Sequence, residues 1–469
     1  MADYISVVNP ATEERVKEIL ADDSAAVAQK VGRARAAQPT WAAKPVGEKV
    51  DLLNRFKALL VENADRLAAT LTQETGKPIA QAKGEILATP ARIDFFTQAV
   101  AGVIAPNVVY RETAEGEVDK SSTIPPLEEI ISYDPLGVVA NISAWNYPYF
   151  VGTNVFVPAL LTGNAVLYKP SEIATMTGLA IAGLFYEAGV PEDIFIPVVG
   201  AGATGAALLQ EKIDGVFFTG SYRTGQKIAI TAAPKLIKIQ LELGGKDPAY
   251  VCSDADIAKA AAGLADGAFY NNGQSCCAVE RIYVHTDVYE PFLDSFLQTV
   301  QSFTLGDPTH LDTYLGPLSR KQQRSILTAQ ITDAVSKGAT LHCGNQLLER
   351  PGFFFTPTVL TEVTHDMSVM REETFGPVIG VQRVSGDEEA IALMNDTDYG
   401  LTAAVYSESR DHAVQILEKV NSGSAYWNCC DRVNPRLPWT GRGHSGIGST
   451  LSEVGILAFI QPRSWHLKV

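Results

Sequence analysis

A chain of 469 residues is longer than one hydrophobic core serves, so two or three domains are expected. Its 46% apolar and 19% charged residues are those of a globular protein, and a formal charge of -15 excludes charge-driven nucleic-acid binding. No basic segment leads into an apolar run at the start, so a signal peptide is not expected, and a cytoplasmic location is.

The first clear element covers residues 48–75. Leu52, Leu53, Phe56, Leu59, Leu60, Ala64, Leu67 and Leu71 recur at helical spacing, which predicts one long amphipathic helix ended by Gly76-Lys77-Pro78. Residues 137–168 carry no Asp, Glu, Lys or Arg. Pro148, Pro158 and several Gly and Asn residues make them a buried strand, loop and helix rather than a membrane span, and no membrane partner is expected. Residues 165–168, 195–199 and 215–219 read as short buried strands, with a helix over 176–189. That alternation predicts a parallel, doubly wound sheet. A second α/β block starts near Gly244, with a helix over 256–269 and a strand over 281–284, and runs to about residue 447. Residues 112–134 and the tail from 457 fit neither block; on pattern alone they are a hairpin and a frayed end.

Six cysteines lie at 252, 276, 277, 343, 429 and 430. Two pairs are adjacent and none has a framework spacing, so free thiols are expected. The seven dispersed histidines include no His-Glu-x-x-His, so no metal site is expected. Cys276, in Phe269-Tyr-Asn-Asn-Gly-Gln-Ser-Cys276, sits in a turn of small residues, where a thiol can act as a covalent nucleophile. Glu242, 34 residues earlier in Leu241-Glu-Leu-Gly-Gly-Lys246, can act as a general base. Together they suggest a reaction that passes through a thioester and ends with water. Gly200-Ala-Gly-Ala-Thr-Gly205 satisfies G-x-G-x-x-G, but no acidic residue follows about 20 positions on to grip a ribose. Phe218-Thr-Gly-Ser221 stands there instead.

These segments, in this order, resemble the NAD(P)-dependent aldehyde dehydrogenase superfamily from about residue 8 to about residue 460. The resemblance rests on Ala144-Trp-Asn-Tyr-Pro148, Tyr168-Lys-Pro-Ser-Glu172, 218–225, the Glu242 and Cys276 segments, and Glu372-Glu-Thr-Phe-Gly-Pro377. It implies a Rossmann-type cofactor domain (1–113 and 135–243), an α/β catalytic domain (244–447), and a small oligomerisation sheet from 114–134 and 448–469. A homodimer or homotetramer would follow. Cys276 would be the nucleophile, Glu242 the base for the deacylating water, and Asn146, with the Cys276 backbone N–H, the oxyanion donor. The Asn-Asn-Gly-Gln turn and the nearby positive nicotinamide would lower the pKa of the Cys276 thiol and expose its sulfur, and Cys277 lines the pocket or caps Cys276 oxidatively.

The cofactor would rest on Trp145, Lys169, Glu172, Gly202, Gly220, Ser221, Gly225, Glu373 and Phe375. A carboxylate at Glu172 leans toward NAD, with NADP possible. Substrate would be a small aldehyde, apolar or aromatic if Tyr147, Phe150, Tyr270 and Trp439, with Tyr149 and Trp427, line the entry tunnel. A succinate-semialdehyde or amino-aldehyde substrate is the alternative. Semialdehyde relatives carry an Arg eight residues after the catalytic Asn, where this chain has Asn154; Arg432 and Arg436 keep that reading open. A CoA-acylating enzyme and an inactive binding relative are the remaining alternatives. The retained Glu242 disfavours the first, and the intact trio of Cys276, Glu242 and Asn146 the second.

Overall fold

The computed structural model describes residues 3–112, 127–346, 348 and 350–468. Two mostly parallel sheets organise it. The first runs Gly446–Ile447, Lys238–Glu242, Gly215–Thr219, Val138–Ile142, Ala165–Lys169 and Phe195–Pro197 from edge to edge. The strands 138–142, 165–169 and 215–219 are buried at every residue, as a parallel sheet covered on both faces requires. Helices Ser24–Ala43, Pro148–Leu161, Thr175–Glu187 and others pack on it around a single apolar cluster. The uncharged run 137–168 is thus a buried strand, helix and strand. No helix among the described residues is long and apolar enough to cross a membrane.

The second sheet has seven strands, ordered Thr340–Cys343, Thr358–Thr361, Val378–Val384, Val279–His285, Asp247–Val251, Thr402–Tyr406 and Ser424–Trp427. Only its first pair is antiparallel. Side chains alternate between two clusters, Ala249 and Val251 facing one and Tyr250 the other, so this sheet separates two cores.

Three expectations change. The helix read over 48–75 is two, Val46–Glu62 and Ala64–Thr75. At Asn63 the backbone leaves the helix (φ -96°, ψ 11°), and the side chain donates Nδ2–H to the Leu59 carbonyl at 2.9 Å. The apolar spacing continues through the break, which is why periodicity did not reveal it. The tail is not frayed: Ile460–Lys468 pairs antiparallel with Leu127–Pro135 along nine residues, and Asn107–Arg111 forms the third strand. Nearly all of 460–468 is exposed, so no buried alternation marked it as a strand. Residues 114–126 of the expected oligomerisation segment lie outside the described residues. Finally, Gly446–Ile447, counted above with the second block, pairs with Glu242 and Leu241 of the first sheet.

Candidate active site

The helix Ile257–Phe269 ends in a turn whose backbone is left-handed at three successive residues, Asn271 (φ 53°), Asn272 (φ 58°) and Gly273 (φ 66°). Asn and Gly tolerate this conformation better than other residues. At Gly273 nothing else fits, because a Cβ would lie 2.4 Å from the Gly376 carbonyl oxygen. Asn272 Nδ2 donates to the Gly316 and Pro317 carbonyls at 3.0 and 2.9 Å, and Asn271 Nδ2 to the carbonyls of Asn146 and Gln274 at 3.3 and 3.2 Å. The turn therefore delivers Cys276 at a fixed point, half-buried, with Cys277 buried beside it.

Asn146 is buried and donates one Nδ2–H to the Gln274 carbonyl at 3.1 Å. A primary amide has a second N–H, and the backbone N–H of Cys276 has no acceptor among the described residues. Glu242, at the end of its strand, receives a long contact from Thr219 Oγ1 at 3.5 Å. Burial pushes its carboxyl up to about 7, against hydrogen bonds from Trp439 and Thr219 and the charge of Arg92. The protein groups around the Cys276 thiol do not by themselves lower its pKa. The neighbouring Cys277 thiol acts to lower its pKa, but burial and the charges of Glu242, Asp247 and Asp431 outweigh this and leave it above the ordinary value. The protein groups alone do not favour the thiolate. A base, or a cation brought by the cofactor, must do so.

Cys276, Glu242 and Asn146 all line a cleft of about 720 Å³. Its walls include Trp145, Lys169, Glu172, Gly202, Gly220, Ser221, Glu373 and Phe375, eight of the nine expected cofactor residues. The ninth, Gly225, is not in the cleft wall; it lets helix Tyr222–Ala232 lie against Leu243, whose Cδ2 a Cβ would approach to 2.5 Å. The first turns of Gly202–Gln210 and Tyr222–Ala232 both border the cleft, and neither has a side-chain cap. Uncapped N–H groups at helix starts suit an anion such as a pyrophosphate. Lys169 is buried, and among the described residues its ammonium has only the Pro170 carbonyl at 3.3 Å, so it has donors left for a ribose or phosphate. Glu373 accepts from the Gly245 N–H at 3.2 Å, and Phe375 meets the Trp145 ring edge-on. The residues fit a dinucleotide.

The expected tunnel residues divide. Tyr147 and Phe150 stack at 5.9 Å with rings 6° from parallel, and Tyr270 lies edge-on to Tyr314. Trp439 is buried against Glu242. Tyr149 is a core residue, and Trp427 is half-exposed with its Nε1–H on the Ser407 carbonyl. Arg432 and Arg436 are exposed.

Four supporting groups escaped the sequence reading. Glu280 accepts from the Thr374 and Phe375 N–H groups at 2.8 and 2.9 Å and pairs with Lys246 at 2.6 Å, so it fixes the loop that carries Glu373 and Phe375. Glu85 accepts from the Tyr149 N–H at 2.9 Å and pairs with Lys77 at 2.6 Å, anchoring the helix that follows Asn146. Asp431 Oδ1 accepts from Cys277 Sγ at 2.9 Å and Ser275 Oγ at 3.2 Å. Arg92 is buried and donates Nε–H to Asn154 Oδ1 at 3.1 Å. A signal existed for two of them: Glu280 interrupts a buried strand, and Arg92 shares a helical face with Phe96 and Val100.

This fold and site set a half-buried thiol, a buried carboxyl and an amide in the wall of a cleft that suits a dinucleotide, and comparison with known proteins gives the family. The profile of the "Aldehyde dehydrogenase family" matches residues 1–465. A succinate-semialdehyde dehydrogenase [NADP(+)] of Deinococcus radiodurans is 36% identical over 97% of this chain and 93% of its own length. Lactaldehyde dehydrogenase of Escherichia coli strain K12 is 33% identical over 99% of this chain and 95% of its own. Among solved structures, that of a lactaldehyde dehydrogenase from Escherichia coli superposes with a TM-score of 0.93 at 32% identity, covering 100% of this chain and 96% of the other. PnpE in complex with nicotinamide adenine dinucleotide also gives 0.93, at 33% identity over 100% and 94%. The chain belongs to the aldehyde dehydrogenase family.

Proposed function

We propose that this protein oxidises an aldehyde to its carboxylic acid with NAD or NADP, through a covalent adduct on Cys276. The observation that carries this reading is that Cys276, Glu242 and Asn146 share the wall of one glycine-bordered cleft. The Cys276 sulfur adds to the aldehyde carbon and gives a hemithioacetal. The second Nδ2–H of Asn146 and the Cys276 N–H hold the developing oxyanion, and the Gln274 carbonyl keeps the amide in place. When bound, the oxidised nicotinamide supplies the hydride acceptor that turns the hemithioacetal into a thioester. Glu242, near 7 through burial, is part ionised at neutral pH and takes a proton from the water that attacks the thioester. The acid leaves and the thiol is restored. A carboxylate poised for water favours hydrolysis over transfer to CoA.

Lys169, Glu172, the two uncapped helix starts, Glu373 and Phe375 are assigned to the cofactor. Glu172 leans the preference toward NAD, although several relatives are named for NADP. The relatives' names point to short oxygenated aldehydes. The Tyr147–Phe150 stack and Tyr270 support an apolar or aromatic aldehyde, but two of those ring faces already carry cations, Lys77 over Tyr147 and Arg92 over Phe150, each at 3.7 Å. Exposed Val108, Val109, Tyr110, Trp465 and Leu467 on the three-stranded sheet support assembly into a homodimer or homotetramer, which sedimentation would measure. Dependence on a nicotinamide pool and unpaired thiols suit the cytoplasm.

The test is NAD(P)H formation from an aldehyde panel, with and without CoA, by the wild type and Cys276→Ala. Turnover by the wild type without CoA and none by the variant is expected. Equal rates for the two proteins would overturn the assignment.

A further inference from the structure

Arg92, in helix Pro90–Val103, is 5% exposed. A guanidinium taken out of water is ordinarily held by a carboxylate, because its desolvation is otherwise uncompensated. Arg92 has no salt bridge among the described residues. Its Nε–H goes to Asn154 Oδ1 and its plane lies over the Phe150 ring. Glu85, the first charge that acts on it, is committed to Lys77 and to the Tyr149 N–H. The two terminal nitrogens have no partner among the described residues, yet they are not among the sealed, unsatisfied atoms; their N–H groups open onto accessible space. Burial lowers the pKa only to about 10, so the group stays cationic at neutral pH.

The position of this cation matters. Arg92 lines no part of the cofactor cleft, but Glu242 and the Cys277 thiol lie within electrostatic reach of it. Phe150, beneath it, stacks on Tyr147, the residue after Asn146. Arg92 therefore stands on the thiol side of the site, beyond the oxyanion donor, where the part of the substrate remote from the aldehyde must lie.

We propose that Arg92 is the receptor for a carboxylate carried by the aldehyde substrate, with Asn154 and Phe150 holding the plane of its fork. The substrate class is then an oxo acid, an aldehyde with a carboxylate at its far end. Two terminal N–H groups match two carboxylate oxygens, and the ion pair forms only when substrate fills the site. This assignment deepens the aldehyde-oxidising reading and rests on it.

The experiment compares kcat/KM for 4-oxobutanoate and for its uncharged amide in the wild type, Arg92→Met and Arg92→Lys. The wild type should prefer the acid by at least about 100-fold, Arg92→Met should bring that ratio to within roughly tenfold of unity mainly through KM, and Arg92→Lys should fall between. In the wild type, butanedioate should compete with the aldehyde and butanediamide should not, a measurement independent of how the variants fold. A wild-type ratio near one, an unchanged ratio in Arg92→Met, or no competition by butanedioate would overturn the assignment of Arg92. If the wild type oxidises the amide in a Cys276-dependent way without preferring the acid, the aldehyde-oxidising reading stands and only the carboxylate receptor fails. If Cys276→Ala matches the wild type on both substrates, the reading beneath it fails as well.

Discussion

Replacing Glu242 by Gln separates the two properties that burial gives this carboxyl. Burial raises its pKa from 4.5 to about 7. The folded state therefore binds the proton more tightly than the unfolded chain. The contribution to stability is full below pH 4.5 and is lost as the pH rises through 7. The shift corresponds to about 3 kcal/mol in total, of which about 2 kcal/mol falls between roughly pH 5.5 and pH 8.5. Gln is neutral throughout, so Glu242→Gln should gain stability relative to wild type by about 2 kcal/mol across that interval in urea unfolding. Activity should move the other way. Wild-type kcat should rise as Glu242 ionises through about pH 7, whereas the variant should be slower by about 10²–10⁴-fold and lack that rise. Acylation does not use the lost base in this scheme, so rapid mixing should still show a burst of NAD(P)H equivalent to the sites. A stability difference that ignores pH, or a burst that disappears, would refute the reasoning.

Cys277→Ala removes the neighbouring thiol that acts to lower the Cys276 pKa, so the pH midpoint for alkylation of Cys276 should rise, as iodoacetamide kinetics would report. Glu280→Gln leaves buried Lys246 without its partner and should cost about 3–5 kcal/mol in urea unfolding; adding Lys246→Met should recover much of that. Gly273→Ala forces a Cβ into the left-handed turn against the Gly376 carbonyl, and kcat should fall by about 100-fold or more as Cys276 is displaced. Glu172→Gln, at the cleft edge, should raise the ratio of NADP to NAD in kcat/KM.

What was legible in the sequence was local. Cys276, with its Asn-Asn-Gly turn, and Asn146, before a Tyr-Pro helix start, announce themselves because one backbone segment fixes each. The buried strands of the first sheet were legible too, since burial on both faces leaves an unbroken apolar run. Groups whose meaning comes from a distant partner were hidden. Glu85 is 64 residues from the Tyr149 N–H it holds, and Glu280 is 94 from Thr374. Asp431 meets Cys277 across 154 residues. The groups that raise the thiol pKa were hidden for the same reason: their carboxylates come from two segments, residues 242–247 and Asp431, apart from Cys276 in the sequence. Asn63 hid its break because helical spacing resumes in phase on its far side.

The pairing of Gly446–Ile447 with Leu241 and Glu242 bears on how the enzyme is made. Leu243 also donates its N–H to the Ser445 carbonyl, and buried Trp439 hydrogen-bonds the Glu242 carboxyl. The base is thus flanked by chain translated some 200 residues after it. A nascent chain, emerging at about 5–20 residues per second, exposes Cys276 many seconds before Trp439, Ser445 and Gly446 reach Glu242. Cys276 is thus made before the surroundings of Glu242 are complete, and the site is assembled only late in synthesis.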